Sequence, residues 1–136
     1  MGQLEDLSAR RRAASSAVED DLVLPPDRAA ARVARHWVMC TLGAAGLGGA
    51  GNQVVELLTA ELVAEALQRQ PSQVHVHTRF DGVVARVEVH DDAPAHPVVE
   101  PPRAWAVVEA MAASWGCLDG PQLAGRTVWF EVPADL

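Results

Sequence analysis

A chain of 136 residues, 49% apolar and 21% charged, suits one domain with its own core and is too apolar to stay disordered along its length. Its net charge of −7 argues against nucleic acid as the main partner, because phosphate backbones recruit basic surfaces. No apolar run approaches the roughly 20 residues of a membrane span, and the opening MGQLEDLSARRRAASSAVEDD lacks the apolar centre of a secretory leader, so a cytoplasmic protein without membrane contact is expected.

In chain order, residues 1–20 read as a solvated tail, with Arg10-Arg11-Arg12 balanced by Glu19, Asp20 and Asp21, and residues 21–136 as one domain. Leu22-Val23-Leu24 predicts a short strand ended by Pro25-Pro26. Residues 27–42, DRAAARVARHWVMCTL, predict a helix with Pro26 and Asp27 at its start. The three-four spacing of Val33, Trp37, Cys40 and Thr41 predicts its inward stripe. Arg28, Arg32 and Arg35 share another face, turned to solvent or to a partner. GAAGLGGAGN at 43–52 reads as a flexible joint. It contains the letters GxGxxG, but a dinucleotide loop follows a strand and opens a helix, whereas here a helix precedes it and no βαβ unit follows.

Asn52 is a suitable cap for a helix over 53–69, with Val55, Leu58, Leu62 and Ala66 facing inward. Asp81-Gly82 then predicts a two-residue hairpin turn that sets Phe80 opposite Val83, Val76 opposite Val87 and Val74 opposite Val89. One face of the hairpin is apolar. The other carries His75, His77, Arg86, Glu88 and His90, which read as solvent-exposed side chains sensitive to mild acid rather than as a zinc site. A proline-rich loop over 92–102 leads to a helix over 103–114, and WGCLDGPQLAGRTVWFEVP supplies two strands around a turn. Cys40 and Cys117 are too few for a disulfide framework and read as small core hydrophobes. Of Trp37, Trp105, Trp115 and Trp129, three are expected in the core, Trp105 being the weakest candidate. The element order predicts an α/β fold, a two-layer sandwich with helices on one face of a mixed, mostly antiparallel sheet.

LPPDRAAARVARHWV, ELLTAELVAEALQRQ, RVEVHDDAPAHPV, PRAWAVVEAMAASWG and GRTVWFEVP, in this order over residues 22–133, resemble the anti-sigma-factor serine/threonine kinases of the histidine-kinase-like (GHKL, Bergerat-fold) ATPase superfamily, in the actinobacterial style. The resemblance implies ATP or ADP with Mg2+ as cofactors, Glu61 as the general base, and Glu65 at the place of a magnesium-binding asparagine. It further implies nucleotide contacts from Asp91, which would read the adenine amino group, and from Arg103, Ala104 and Thr127. The chain departs from the family where phosphates would be held. Pro102 and Ala104 stand where glycines let backbone amides approach an anion at a helix N-terminus, and Pro102 has no amide to offer. Two carboxylates at i and i+4 also repel a triphosphate.

A degenerate nucleotide site is therefore expected, with Glu61 a vestigial base and no cofactor retained. The expected function is that of an anti-sigma-like regulator working by protein–protein contact in a partner-switching system. Its partners would be a sigma factor or an anti-sigma antagonist, it would form a homodimer, and Arg28, Arg32 and Arg35 would face the partner. The alternative is an active ATP- and Mg-dependent serine/threonine kinase that phosphorylates the antagonist.

Overall fold

The computed structural model describes residues 16–95, 100–119 and 124–136. In chain order the elements are β1 (Val18–Leu24), α1 (Ala30–Ala44), α2 (Gly49–Gln68), β2 (Val74–Phe80), β3 (Val84–Asp91), α3 (Arg103–Met111), β4 (Ser114–Leu118) and β5 (Arg126–Pro133). The strands form one antiparallel sheet in the order β1-β2-β3-β5-β4. The helices pack against one face of it, giving the two-layer α/β sandwich that the element order predicts. Along β2, β3 and β5 burial alternates strictly, and Val74, Val76, Phe80, Val87, Val89 and Phe130 meet the helices. Among the described residues no helix is long and apolar enough to cross a membrane.

The strand expected at 22–24 begins at Val18, so the last residues assigned to the tail belong to the sheet. Glu19, Asp20 and Asp21 have weak strand propensity and hid it; pairing with β2 supplies what propensity does not. Residues 1–15, with the arginine run, lie outside the described residues.

The inward stripe of α1 is Ala30, Ala34, Val38 and Leu42, not the bulkier set expected. Val33 is 43% exposed, Cys40 is exposed, and Trp37 is half-buried. Both sets satisfy a helical period, and α1 packs closely on α2, a contact that favours small side chains at the crossing. Cys40 is thus not a core hydrophobe, and Cys117 is only partly buried.

The segment expected to be a flexible joint is a four-residue connection over 45–48, after which α2 starts at Gly49. Leu47 is buried there, and its amide donates to the Leu42 carbonyl at 2.9 Å. Gly46 (φ 109°) and Gly49 (φ 58°) take left-handed conformations that other residues adopt at a cost. The GxGxxG letters therefore link two helices. Asn52 lies inside α2 rather than at its cap, and its side-chain amide donates to the carbonyls of Leu47 and Met39 at 2.9 and 3.2 Å. It ties the helix pair together instead of starting one member.

The β2–β3 hairpin turns over residues 81–83 and is wider than the two-residue turn expected. Phe80 pairs with Ala85, Val76 with Val89 and Val74 with Asp91. Asp81 Oδ1 accepts the amides of Val83 and Val84 at 2.9 and 2.8 Å, a side-chain turn that widens the loop. The Val84 amide leads in holding the Asp81 carboxyl below its ordinary value. A shift of two residues preserves the faces, so only Val83 changes its fate, from inward to 64% exposed. α3 ends at Met111, because Ala112 is extended and Ser114 already pairs with Glu131 on β5. Trp105 and Trp115 pack together, ring centres 5.7 Å apart. Trp129 lies on the open face, its ring 4.1 Å from the Arg86 guanidinium.

Candidate functional site

α2 presents Glu61, Glu65 and Gln68 on one side by their i, i+4, i+7 spacing. The start of α3 faces them with Pro102, Arg103 and Ala104, and together they line a cleft of about 160 Å3. Four residues named from the sequence, Glu61, Glu65, Arg103 and Ala104, therefore share one place. Glu61 lines the cleft without an ion-pair partner among the described residues. Arg103, the first residue of α3, is exposed, whereas Ala104 is buried.

Asp91 ends β3 on the helix-facing side, as alternation requires, and is 1% exposed. A buried carboxylate must be hydrogen-bonded, and the chain supplies the partners. Arg69, just past α2, donates Nε to both Asp91 oxygens at 3.1 and 3.0 Å. The Ala93 amide donates to Oδ1 at 3.0 Å. Arg126, the register partner of Asp91 on β5, brings its Nε within 3.8 Å of Oδ2. The other end of Arg126 pairs with Glu65. Arg69 also donates to the Ala93 carbonyl at 3.2 Å, holding the chain that leaves β3. The result is a buried chain of alternating charge, Arg69–Asp91–Arg126–Glu65, with the Trp105 ring centre 5.6 Å from the Arg126 guanidinium. Next to it, Asp92 accepts the amides of Ser72 and Gln73 at 2.7 and 3.3 Å and the Ser72 hydroxyl, and the hydroxyl leads in lowering its carboxyl pKa.

These partners bear on each role implied for the site. A carboxylate has about four acceptor positions, and most of those on Asp91 are taken by the protein. Glu65 is committed to Arg126 instead of a metal ion, and among the described residues no group of three or more His, Cys, Asp or Glu side chains is placed to hold one. The cleft is below the roughly 300–1,000 Å3 typical of small-molecule pockets, and Pro102 and the Ala104 methyl stand at its α3 edge. The residues present do not fit a magnesium nucleotide. The proline-rich loop expected over 92–102 lies partly outside the described residues, at 96–99.

Thr127 is not in the cleft. It sits on the opposite face of the sheet, where its hydroxyl bonds His90 Nδ1 at 2.9 Å, and it helps to line a shallow depression with His75, His77 and Glu88. Because Arg126 faces the helices, the next residue of the strand must face away. Arg69 and Arg126, the two cations that organise the site, lie within the segments ELLTAELVAEALQRQ and GRTVWFEVP but draw no role from the sequence, since their meeting depends on strand register.

Arg28, Arg32 and Arg35 are exposed on or just before α1. Arg32, Val33, His36, Trp37 and Cys40 line an open, mainly apolar depression of about 520 Å3. A second depression, of about 270 Å3, continues from it past Arg35, Met39 and Glu56, and Arg35 Nε pairs with Glu56 at 2.7 Å. Of the side chains expected in the core of this helix, Val33 and Cys40 are thus exposed and Trp37 is half-buried at the edge of the core. No protein-family profile and no curated protein matches the chain.

Proposed function

We propose that this chain is a regulatory protein of the anti-sigma type that works by binding another protein through the outer face of α1, with nucleotide binding weak or lost. The observation that carries the reading is the outer face of α1, where Val33, Trp37 and Met39 line two adjoining depressions together with Arg32 and Arg35. An amphipathic surface of this kind, with apolar anchors beside charged side chains, suits recognition of a partner. The chain as a whole is acidic, with a net charge of −7, and the arginines of this face favour an acidic partner by local complementarity. A sigma factor or an anti-sigma antagonist is the partner class proposed. A homodimer and a cytoplasmic setting belong to the same proposal.

Arg32 borders both depressions. Arg32→Glu is expected to weaken capture of the partner by about 100-fold or more, because it places a like charge against an acidic surface. Co-purification with the partner, compared with Arg79→Glu on the sheet as control, checks this, and unchanged capture would remove α1 from the interface.

The small size of the cleft, about 160 Å3, supports a regulator without turnover. Calorimetric titration with ATP and with ADP, each with and without magnesium, is expected to give no saturable heat up to about millimolar nucleotide, an affinity no better than about −4 kcal/mol. Micromolar, magnesium-dependent binding would restore the kinase alternative, with Glu61 as base.

A further inference from the structure

Three histidines near one another on the open sheet face suggest a surface that acid loosens by charge repulsion. The structure places carboxylates of β1 among them, and these reverse the expected sign. Asp21 Oδ1 bonds both His75 Nε2, at 2.7 Å, and His77 Nδ1, at 2.8 Å, while Glu19 Oε1 lies 3.1 Å from His77 Nε2. We propose that β1 is held to the sheet by a proton-dependent clasp of Glu19, Asp21, His75 and His77, tightest in mild acid and slack above neutrality.

β1 has reason to depend on such a clasp. Among the described residues it is an edge strand that pairs only with β2, its sequence is acidic, and Leu24 is its only residue buried in the core. With so little apolar burial, cross-strand polar pairs carry a large share of its attachment. The neighbours also set which histidine matters. In register, His77 lies between Asp21 and Glu88, His75 between Val23 and His90, and Arg79 between Glu19 and Arg86. Arg86 pairs with Glu88 at 2.9 Å and approaches Glu131 at 3.6 Å, and His90 is bonded to Thr127. His77 therefore has carboxylates on both sides, while His75 faces Val23 and His90.

Partial burial acts to lower the His77 pKa, but the hydrogen bonds of Asp21 and Glu19 outweigh it and raise it above 6.5. The hydrogen bond from His77 leads in holding Asp21 below 3.8. A raised histidine contributes stability that is complete below its unfolded pKa and is lost as pH rises through the folded one. A depressed carboxylate contributes above its unfolded pKa and loses it as pH falls through the folded one. The clasp is thus complete between Asp21's ordinary 3.8 and His77's ordinary 6.5. As pH rises through the raised His77 value the imidazole loses its charge, and Asp21 and Glu19 keep carboxylates that it no longer compensates. β1 runs through Pro25 and Pro26 into α1, so the strand that slackens is the one leading to the arginine face.

Amide hydrogen exchange of the full chain at about pH 5.5 and about pH 8, corrected for the intrinsic pH dependence of exchange, tests this. Protection of residues 18–24 relative to 126–133 is expected to fall about three- to tenfold at the higher pH, and a constant or rising ratio would overturn the clasp. His77→Gln keeps a polar side chain without the titration and should flatten the ratio; a variant with the wild-type drop overturns the assignment to His77. If that variant does not fold, the His77 ring titration in the wild type, followed by NMR, decides. A midpoint at or below about 6.5 would exclude it.

Discussion

Asp91→Ala is expected to lower the free energy of unfolding by about 3–5 kcal/mol, the usual cost of removing one partner from a buried ion pair. The side chains of Arg69, Asp91, Arg126 and Glu65 are 10, 1, 3 and 12% exposed, so water cannot replace a missing member. Without the carboxylate, two guanidinium groups face each other in the core with Glu65 alone to balance them. Urea unfolding with circular dichroism measures the loss, and a change under about 1 kcal/mol would mean that the network is open to solvent. A second comparison separates charge pairing from packing. Arg126→Met alone leaves the Glu65 carboxylate partly buried without its cation, whereas Arg126→Met with Glu65→Met removes both charges and supplies apolar volume. The double variant should be the more stable of the two, because the large cost lies in the orphaned charge. If the single variant is the more stable, the pair is not what holds Arg126 in place.

Gly125→Ala is expected to be comparably damaging, by about 2–6 kcal/mol, the sum of a left-handed backbone cost and local overpacking. Gly125 has φ +95°, and a Cβ there would lie 1.9 Å from the Asp91 carbonyl oxygen and 2.9 Å from Asp92 Cα. These neighbours are backbone atoms and cannot swing aside. The next residue, Arg126, must sit opposite Asp91 for the buried network to close, so the displacement reaches the site as well as the strand. Gly82→Ala is the matched control. Its φ is +88° but no atom lies within 4 Å of the added methyl, so it should lose only about 1 kcal/mol. Thermal melts of the two variants side by side check the contrast, and equal losses would show that the approach to Asp91 contributes nothing.

The apolar alternation of VHVHTRF and VARVEVHD determined by itself that these strands have one wet and one buried face, because side chains in a strand point alternately to either side. That periodicity survives a two-residue error in hairpin register, which is why the faces were legible and the pairing was not. The pairing was decided by the Asp81 side chain, which binds two amides of its own turn. The helices were equally legible in kind, but the buried side of α1 was not. A three-four spacing runs through Val33, Trp37 and Cys40 as well as through Ala34, Val38 and Leu42. Only contact with α2 selects the smaller set, and in doing so it turns the bulky one outward.

The candidate site divides along the same line. The i, i+4 spacing places Glu61 and Glu65 on one side of α2, and the missing glycines at Pro102 and Ala104 can be read from the letters alone, because both are local properties of the chain. The partners of Asp91 could not be read. Arg69 and Arg126 are far apart in sequence, and they converge only because β3 and β5 pair in one register and α2 ends above them. The same register sends Thr127 to the open face. The sequence thus specified which groups were present and which local geometry each could adopt, while the tertiary structure decided which charges meet. Ion pairing depends on distances between elements, and no period along a single chain encodes those.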